Sequence, residues 1–215
     1  MTTAQIRMTG KTRYIVLSGV LPILLAACGK SDSPPGNPHE NKYQAVTMDG
    51  GESAGCVLDT RTSLVWEVKS DEPGLRDWRN TYSWFNPNEA HRELDYRGLQ
   101  NGGVCVASEC DTWDYVRAVN AMELCGFNDW RVPTKDEFFS ISDLSKASSP
   151  PTTNLQAFPF TQPAEYWTGN DYSFQHESAW AWNFQYGHDR VDWKKSAKYL
   201  RLVRGEARQL EAVKE

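Results

Sequence analysis

The C-terminal third of the chain alternates large apolar and polar residues with the two-residue period of a β-strand. The strictest stretch would place Trp180, Trp182, Phe184 and Tyr186 on one face of a half-buried strand. Shorter β-prone runs precede and follow it, at residues 165–168, 190–193 and 199–203. Near the start of the folded region, residues 56–59 and 64–68 form two further runs separated by four polar residues, which predicts an opening hairpin.

Two segments carry the signals of amphipathic helices. Residues 111–125 begin with Asp111, an N-cap candidate, and end before Gly126, a common C-terminal stop. Their apolar stripe consists of Tyr115, Val116, Val119 and Met122. A second helix should begin after Thr134, which forms a capping-box pattern with Glu137. Its apolar face would comprise Phe138, Ile141 and Leu144.

The segment 69–109 between these elements is polar and shows no regular period. It contains Trp78, Tyr82, Trp84 and Phe85, which we expect to pack against the core from a long loop. A recognition surface built from the same aromatic residues is the alternative.

Residues 1–27 have the composition of a secretory signal peptide. They contain three basic residues, no acidic residue and an apolar run that is too short to span a membrane. The run ends in Leu25-Ala26-Ala27-Cys28, which resembles the lipobox of bacterial lipoproteins. That resemblance implies diacylation of Cys28, by fatty acids such as palmitate, and cleavage of the leader before it. An ordinary signal peptide with a chance cysteine is the alternative.

The sequence therefore divides into a signal peptide at 1–27, a lipidated tether at 28–55, a folded domain at 56–208 and a tail at 209–215. The tether is rich in Ser, Pro and Gly, so we expect it to be flexible, with a root-mean-square reach of about 30 Å. Gly29 follows the lipid site where an Asp would signal retention at the inner membrane. By that sorting rule the protein is predicted to lie in the cell envelope, anchored to the outer membrane and facing the periplasm or the cell surface.

Charge and composition narrow the range of partners. The chain has 28 acidic and 23 basic residues, and loss of the leader lowers the net charge from −5 to −8. Such a balance argues against broad binding to nucleic acid or anionic lipid, so a polyanion site has to be a local patch. Nine Trp, nine Tyr and eight Phe residues predict an aromatic-rich core.

Four cysteines follow Cys28, and an exported chain is expected to pair them. If residues 111–125 are helical, their rise of roughly 20 Å excludes a Cys110–Cys125 disulfide. Of the two remaining schemes we prefer Cys105–Cys110 with Cys56–Cys125. A four-thiolate zinc site is the alternative, although the spacing lacks paired C-x2-C knuckles.

A basic run between His188 and Arg208 inverts the charge sign of the domain. Within it, Lys194, Lys195 and Lys198 could collect sulfate or carboxylate groups, and Trp182 or Trp193 could offer a ring for sugar stacking. The alternative is a solvated strand edge protected by lysine.

Metal and catalytic signals are weak. Oxygen ligands for Ca²⁺ could come from Asn128-Asp129, Asn170-Asp171, Asp189 and Asp192, but no loop shows a dense ligand series. The chain has four His and no HExxH, GxSxG, P-loop or GxGxxG motif. We therefore expect that the protein requires no cofactor and is not an enzyme.

Several motifs resemble the Lcl C-terminal domain family, which is named for a collagen-like adhesin that binds sulfated glycosaminoglycans. They are Asp59-x-x-Thr62-x-Leu64-x-Trp66, Cys110-Asp111-Thr112, Leu124-Cys125-Gly126, Asp129-Trp130-Arg131-Val132-Pro133-Thr134 and Leu200-Arg201-Leu202-Val203-Arg204-Gly205. The resemblance covers about residues 56–205. It implies an α+β, C-type-lectin-like fold with two helices, a small antiparallel sheet and long loops.

The predicted function is a lipid-anchored ligand-binding or adhesion module of the cell envelope that recognises a sulfated or acidic glycan. An accessory subunit of an envelope or appendage assembly, with a protein partner, is the second hypothesis.

Overall fold

The structure is a computed structural model that describes residues 42–47, 53–88 and 96–207. Within these residues the named elements are seven strands, two α-helices and two short 3₁₀ turns. The strands are β1 (Tyr43–Thr47), β2 (Ser53–Asp59), β3 (Val65–Glu67), β4 (Glu165–Asp171), β5 (Ser178–Asn183), β6 (His188–Trp193) and β7 (Val203–Arg204). The helices are α1 (Thr112–Ala121) and α2 (Lys135–Ser140), and the 3₁₀ turns are Leu124–Gly126 and Leu144–Lys146. The predicted signal peptide, Cys28 and the predicted tail lie outside the described residues.

The strands form two antiparallel sheets, ordered β1-β2-β3-β7 and β4-β5-β6. The predicted opening hairpin is confirmed, because Val57 of β2 pairs with Trp66 of β3. The α+β class is confirmed as well, but the small antiparallel sheet that we expected is divided in two. The predicted strand at 199–203 shortens to β7, because Tyr199 makes a single bridge to Tyr166 of β4 before the chain turns towards β3.

One strand lies before the predicted opening hairpin. β1 lies within the predicted tether, 28–55, and pairs with β2 along an exposed edge. Its alternation is hard to recognise because only Tyr43 and Val46 are partly buried, with Tyr43 edge-on to Phe158 at 5.1 Å between ring centroids. The rest of the predicted tether lies outside the described residues, apart from Lys42 and the start of β2.

The helix starts follow the predicted capping patterns. Asp111 accepts a hydrogen bond from the main-chain N–H of Asp114 at 3.0 Å, which satisfies a free donor in the first turn of α1. Thr134 and Glu137 form the reciprocal capping box at the start of α2. Both helices are shorter than predicted, and Met122, expected in the apolar stripe, is 50% exposed beyond the end of α1.

Large aromatic side chains fill two core clusters. The first surrounds Trp84, Tyr115, Trp130 and Trp167. The second surrounds Trp66, Phe138, Phe158, Tyr166, Trp182 and Phe184. Burial of Tyr82, Trp84 and Phe85 confirms that the irregular segment packs against the core, whereas Trp78 stays partly exposed and donates its indole N–H to Asp71.

The structure contains the disulfide pairing that we preferred, Cys56–Cys125 and Cys105–Cys110. The first ties β2 to the 3₁₀ turn after α1, and the second closes the loop before α1. Both disulfides and both clusters lie between residues 42 and 207, so a chain that starts at residue 29 retains every contact described here. No helix in this part of the chain is long and apolar enough to cross a membrane.

Candidate ligand-binding surface

Two of the three candidate lysines are buried, which corrects the prediction that they form an exposed patch. Lys194 is 1% exposed. Its ammonium lies 2.7 Å from Asp171 Oδ1, donates to the main-chain oxygen of Tyr96 at 2.7 Å, and sits 4.2 Å from the centroid of the Trp84 ring. A charge so enclosed and paired cannot collect anions from solvent.

Lys198 is also buried, with 7% of its surface exposed. Its ammonium contacts Asp192 Oδ2 at 2.6 Å and also Glu165 Oε2, and it lies 5.0 Å from the centroid of the Trp167 ring. Two carboxylates therefore neutralise this lysine. The sequence could not show it, because Glu165 lies on a strand 33 residues away.

The two candidate tryptophans, Trp182 and Trp193, differ in exposure. Trp182 is 4% exposed and belongs to the second core cluster, where Phe139 of α2 lies 6.1 Å from its ring, so it offers no face to a sugar. Trp193 is 48% exposed. The exposed Lys195 places its ammonium 5.6 Å from the centroid of the Trp193 ring. Of the five predicted ligand-binding residues, Trp193 and Lys195 remain available together.

The register of the second sheet places further apolar groups on the face that carries Trp193. Trp180 on β5 pairs with Val191 on β6, and Ser178 pairs with Trp193. Paired residues project from the same face of an antiparallel sheet. The small Ser178 thus lies between larger side chains, and Tyr172, which follows β4, packs edge-on against Trp180 at 5.4 Å.

We call this surface the aromatic platform. It consists of Tyr172, Phe174, Trp180, Val191 and Trp193. Phe174 extends it into solvent, since it is 88% exposed and lies 5.7 Å from Tyr172. Trp193 was among the predicted site residues, whereas Tyr172, Phe174 and Trp180 were not. The alternation of β5 did put Trp180 on one face, but the pairing that joins it to Trp193 is set by the hairpin register.

Ion pairs hold the platform and cancel most of the nearby charge. Lys135 of α2 places its ammonium 4.5 Å from the centroid of the Trp180 ring and 3.1 Å from Asp189 Oδ2. This contact fixes Trp180 from one side. Lys195 lies at the other end of the platform and forms no ion pair with a carboxylate among the described residues.

A cleft of about 590 Å³ is lined by Glu165, Arg190 and Lys198. The Arg190 guanidinium lies 3.2 Å from Glu165 Oε1, and Lys198 contacts Glu165 as well. Since these charges already neutralise one another, the cleft is a weaker candidate than the platform.

The four aspartates among the candidate calcium ligands pair with cations of the protein itself. Asp129 accepts from Arg204 Nε at 2.8 Å, while Asp171, Asp189 and Asp192 pair with Lys194, Lys135 and Lys198. Asn170 Oδ1 accepts the main-chain N–H of Lys135 at 2.9 Å. No group of three or more His, Cys, Asp or Glu side chains that could hold a metal ion occurs within the described residues.

One cluster of titratable groups lies wholly inside the core. Glu67 contacts the Tyr115 hydroxyl and the Lys69 ammonium, the latter at 3.1 Å, and its Oε2 accepts the main-chain N–H of Leu202 at 3.0 Å. Arg201 donates to the main-chain oxygen of Glu67 at 2.6 Å. Burial lowers the pKa of Lys69 to about 8, against the opposing effect of Glu67. All four side chains are buried, so the cluster joins β3, α1 and the C-terminal segment.

Comparison with known proteins identifies the domain. No curated protein and no solved structure matches this chain. A family model described as the Lcl C-terminal domain matches residues 55–204, a span that holds both disulfides, both core clusters and the aromatic platform. The chain therefore belongs to the Lcl C-terminal domain family.

Proposed function

We propose that this protein is a lipid-anchored ligand-binding or adhesion module of the cell envelope, and that its aromatic platform recognises a sulfated or acidic glycan. The observation that carries the proposal is the half-exposed Trp193 ring beside the Lys195 ammonium, which pairs with no carboxylate among the described residues. Trp180, on the neighbouring strand, is fixed by Lys135. Membership of the family is consistent with it.

The chemistry of the platform suits such a ligand. Contiguous exposed apolar groups on a soluble domain mark interaction sites, because leaving them in water costs free energy. An indole ring can stack on the apolar face of a sugar, while an adjacent ammonium attracts a sulfate or carboxylate substituent. Because Asp189 is already neutralised by Lys135, it would repel an anionic ligand only weakly.

The anchor and the finer fold assignment belong to the same proposal. The lipobox at Leu25–Cys28 and the following Gly29 favour acylation of Cys28 and placement in the outer membrane. The two helices, small antiparallel sheets and long loops favour a C-type-lectin-like arrangement. Multiple acyl chains on one cysteine would anchor the domain stably.

A protein partner in an envelope assembly is the second candidate. Phe174 favours it, since a phenylalanine that is 88% exposed at the edge of an aromatic surface is typical of a residue that inserts into a pocket of another protein. A glycan would instead depend on Trp193 and Lys195.

The test uses the soluble chain from residue 29 onward on a sulfated-glycan column. The wild-type chain should be retained at low salt and elute at moderate salt, because exposed charges are screened over roughly 8 Å at physiological ionic strength. Trp193→Ala and Lys195→Glu should each weaken binding by roughly tenfold, the usual scale of one stacking or charge contact.

Matched controls are available on the same domain. Tyr186→Ala removes another exposed aromatic ring, and Arg117→Glu reverses an exposed charge on α1. Both should bind as the wild type does. Passage of the wild-type chain straight through at low salt would reject the glycan and favour the protein partner, as would binding that depends on Phe174 alone.

A further inference from the structure

A second cleft, of about 550 Å³, lies where the described chain begins. It is lined by residues of β1, of the β2–β3 turn and of the loop that follows α2, and it shares no residue with the aromatic platform. Its volume suits a small ligand or a headgroup.

Two cations of this cleft converge on one neutral acceptor. The Lys42 ammonium and the Arg61 guanidinium both donate to the main-chain oxygen of Ser140, at 2.7 and 3.1 Å. Among the described residues, the carboxylate oxygen nearest to the Lys42 ammonium is Asp59 Oδ2 at 3.8 Å, which is too far for a hydrogen bond. Burial lowers the pKa of Lys42, Asp59 opposes this effect, and smaller effects come from Arg61, which lowers the pKa, and Asp143, which raises it.

A third cation, Lys146, lines the same cleft and donates to the main-chain oxygen of Thr153 at 2.9 Å. Within the described residues, neither Arg61 nor Lys146 forms an ion pair with a carboxylate. The contrast with Lys135, Lys194 and Lys198 is sharp, because each of those three is paired with one. Asp143 is the acidic residue in the lining, and its Oδ1 already accepts the hydroxyl and main-chain N–H of Ser145.

The hydrogen-bond inventory of the cleft is therefore rich in charged donors. A guanidinium has five N–H groups and an ammonium three, and each of these cations uses one on a main-chain carbonyl. We infer that the cleft binds a phosphate group, whose several oxygens can accept from Lys42, Arg61 and Lys146 together.

The geometry favours a phospholipid headgroup as the source of that phosphate, a step that rests on the proposed lipid anchor. Lys42 lies 14 residues after Cys28. A chain of that length spans at most roughly 50 Å, so it keeps this end of the domain close to the bilayer. Leu144 and Leu155, 51% and 46% exposed, line the same cleft and offer apolar contacts beside the cations.

The experiment applies two probes to the soluble chain from residue 29 onward. One is inorganic phosphate, read as a rise in thermal midpoint. The other is a set of phosphatidylcholine vesicles with and without phosphatidylglycerol, read by co-sedimentation. Arg61→Gln combined with Lys146→Gln removes two contacts near the surface and should weaken vesicle binding by about thirtyfold. Arg117→Gln is the matched control, because it removes an exposed arginine of α1.

Binding to the phosphatidylglycerol vesicles that phosphate competes away, and that the double variant loses while Arg117→Gln keeps it, would establish the headgroup site. Leu155→Ser should then weaken vesicle binding while leaving the phosphate effect intact. A phosphate effect without vesicle binding would overturn the membrane source and retain the phosphate site. Equal behaviour of the double variant and the wild type, or no response to either probe, would overturn the whole inference.

These outcomes do not depend on the glycan test. The double variant should still be retained on the sulfated-glycan column through Trp193 and Lys195, so that failure of one proposal can be told from failure of the other.

Discussion

Lys195 and Lys198 stand three residues apart and occupy opposite environments. Lys195 is exposed, whereas Lys198 is enclosed between Glu165, Asp192 and the Trp167 ring. Lys198→Glu would place three carboxylates together and leave only the exposed Arg190 guanidinium beside Glu165 to offset them. We expect it to lower the free energy of unfolding by about 3–5 kcal/mol, the usual cost of breaking a buried pair.

The matched substitution is Lys195→Glu, which should change the free energy of unfolding by less than about 0.5 kcal/mol. Urea titration of both variants measures the difference. If the two variants unfold at the same urea concentration, the contacts of Lys198 do not stabilise the fold as described.

Glu67 governs a second prediction, on pH. Burial alone would raise the pKa of Glu67, but the Lys69 charge and the hydrogen bonds from Tyr115 and Leu202 outweigh it and lower the pKa. A carboxyl with a lowered folded-state pKa contributes stability that is present above its unfolded pKa of about 4.3 and is lost as pH falls through the folded value.

Glu67→Gln removes the anion that faces Lys69 and Arg201, so it should cost about 3–5 kcal/mol at neutral pH. It should also flatten the fall of the thermal midpoint below about pH 4.3, since a glutamine does not titrate there. Thermal scans of the wild type and of Glu67→Gln, from neutral pH downward, measure both effects. If the thermal midpoints of the wild type and of Glu67→Gln fall equally steeply below about pH 4.3, Glu67 is not the source of the acid sensitivity.

At the scale of secondary-structure elements, the two disulfides should differ in what they contribute. Cys56–Cys125 joins residues 69 apart, and Cys105–Cys110 joins residues five apart. The loss of chain entropy in the unfolded state gives about 4 kcal/mol for the longer loop and about 2 kcal/mol for the shorter one. Replacing each pair by alanine and measuring urea unfolding tests the order. If removal of Cys105–Cys110 lowers the free energy of unfolding more than removal of Cys56–Cys125 does, the predicted order is contradicted.

Local signals were enough to predict several elements. Asp111 and the Thr134–Glu137 capping box mark the helix starts in the sequence because a cap involves residues three positions apart. One such helix excluded a Cys110–Cys125 disulfide, since a helical Asp111–Leu124 segment keeps these two cysteines apart. The choice between the two remaining schemes was a preference, and the structure contains the preferred one. The opening hairpin was predictable from two runs and a short polar turn.

The features that could not be predicted depend on distant contacts. β1 is short and mostly exposed, and its pairing with β2 makes it a strand. The basic run looked exposed because Asp171 and Glu165, which neutralise Lys194 and Lys198, are brought there by the second sheet. The aromatic platform joins Trp193 to Tyr172 through a register that no single strand encodes.

At the scale of the whole molecule, the net charge of −5 does not show how the cations are distributed over the surface. Most described cations near the C-terminal sheet are paired with carboxylates, which leaves Lys195 beside the platform. The cations around Ser140 are held by carbonyl oxygens instead. An acidic chain can therefore present two local surfaces for anions while remaining soluble and weakly attracted to polyanions elsewhere.

The anchor decides where these surfaces act. If Cys28 is acylated, Cys28→Ser should abolish labelling by a fatty-acid probe, because serine offers no thiol to the lipid-transfer step. The same Cys28→Ser chain, placed behind an ordinary cleavable signal, should be exported and recovered in the soluble fraction, since no acyl chain then holds it to a bilayer. Replacing Cys105 and Cys110 by alanine is the matched control and should leave labelling unchanged. Labelling that persists in Cys28→Ser, or an unlabelled wild-type chain, would remove the lipid anchor and with it the membrane source of the phosphate.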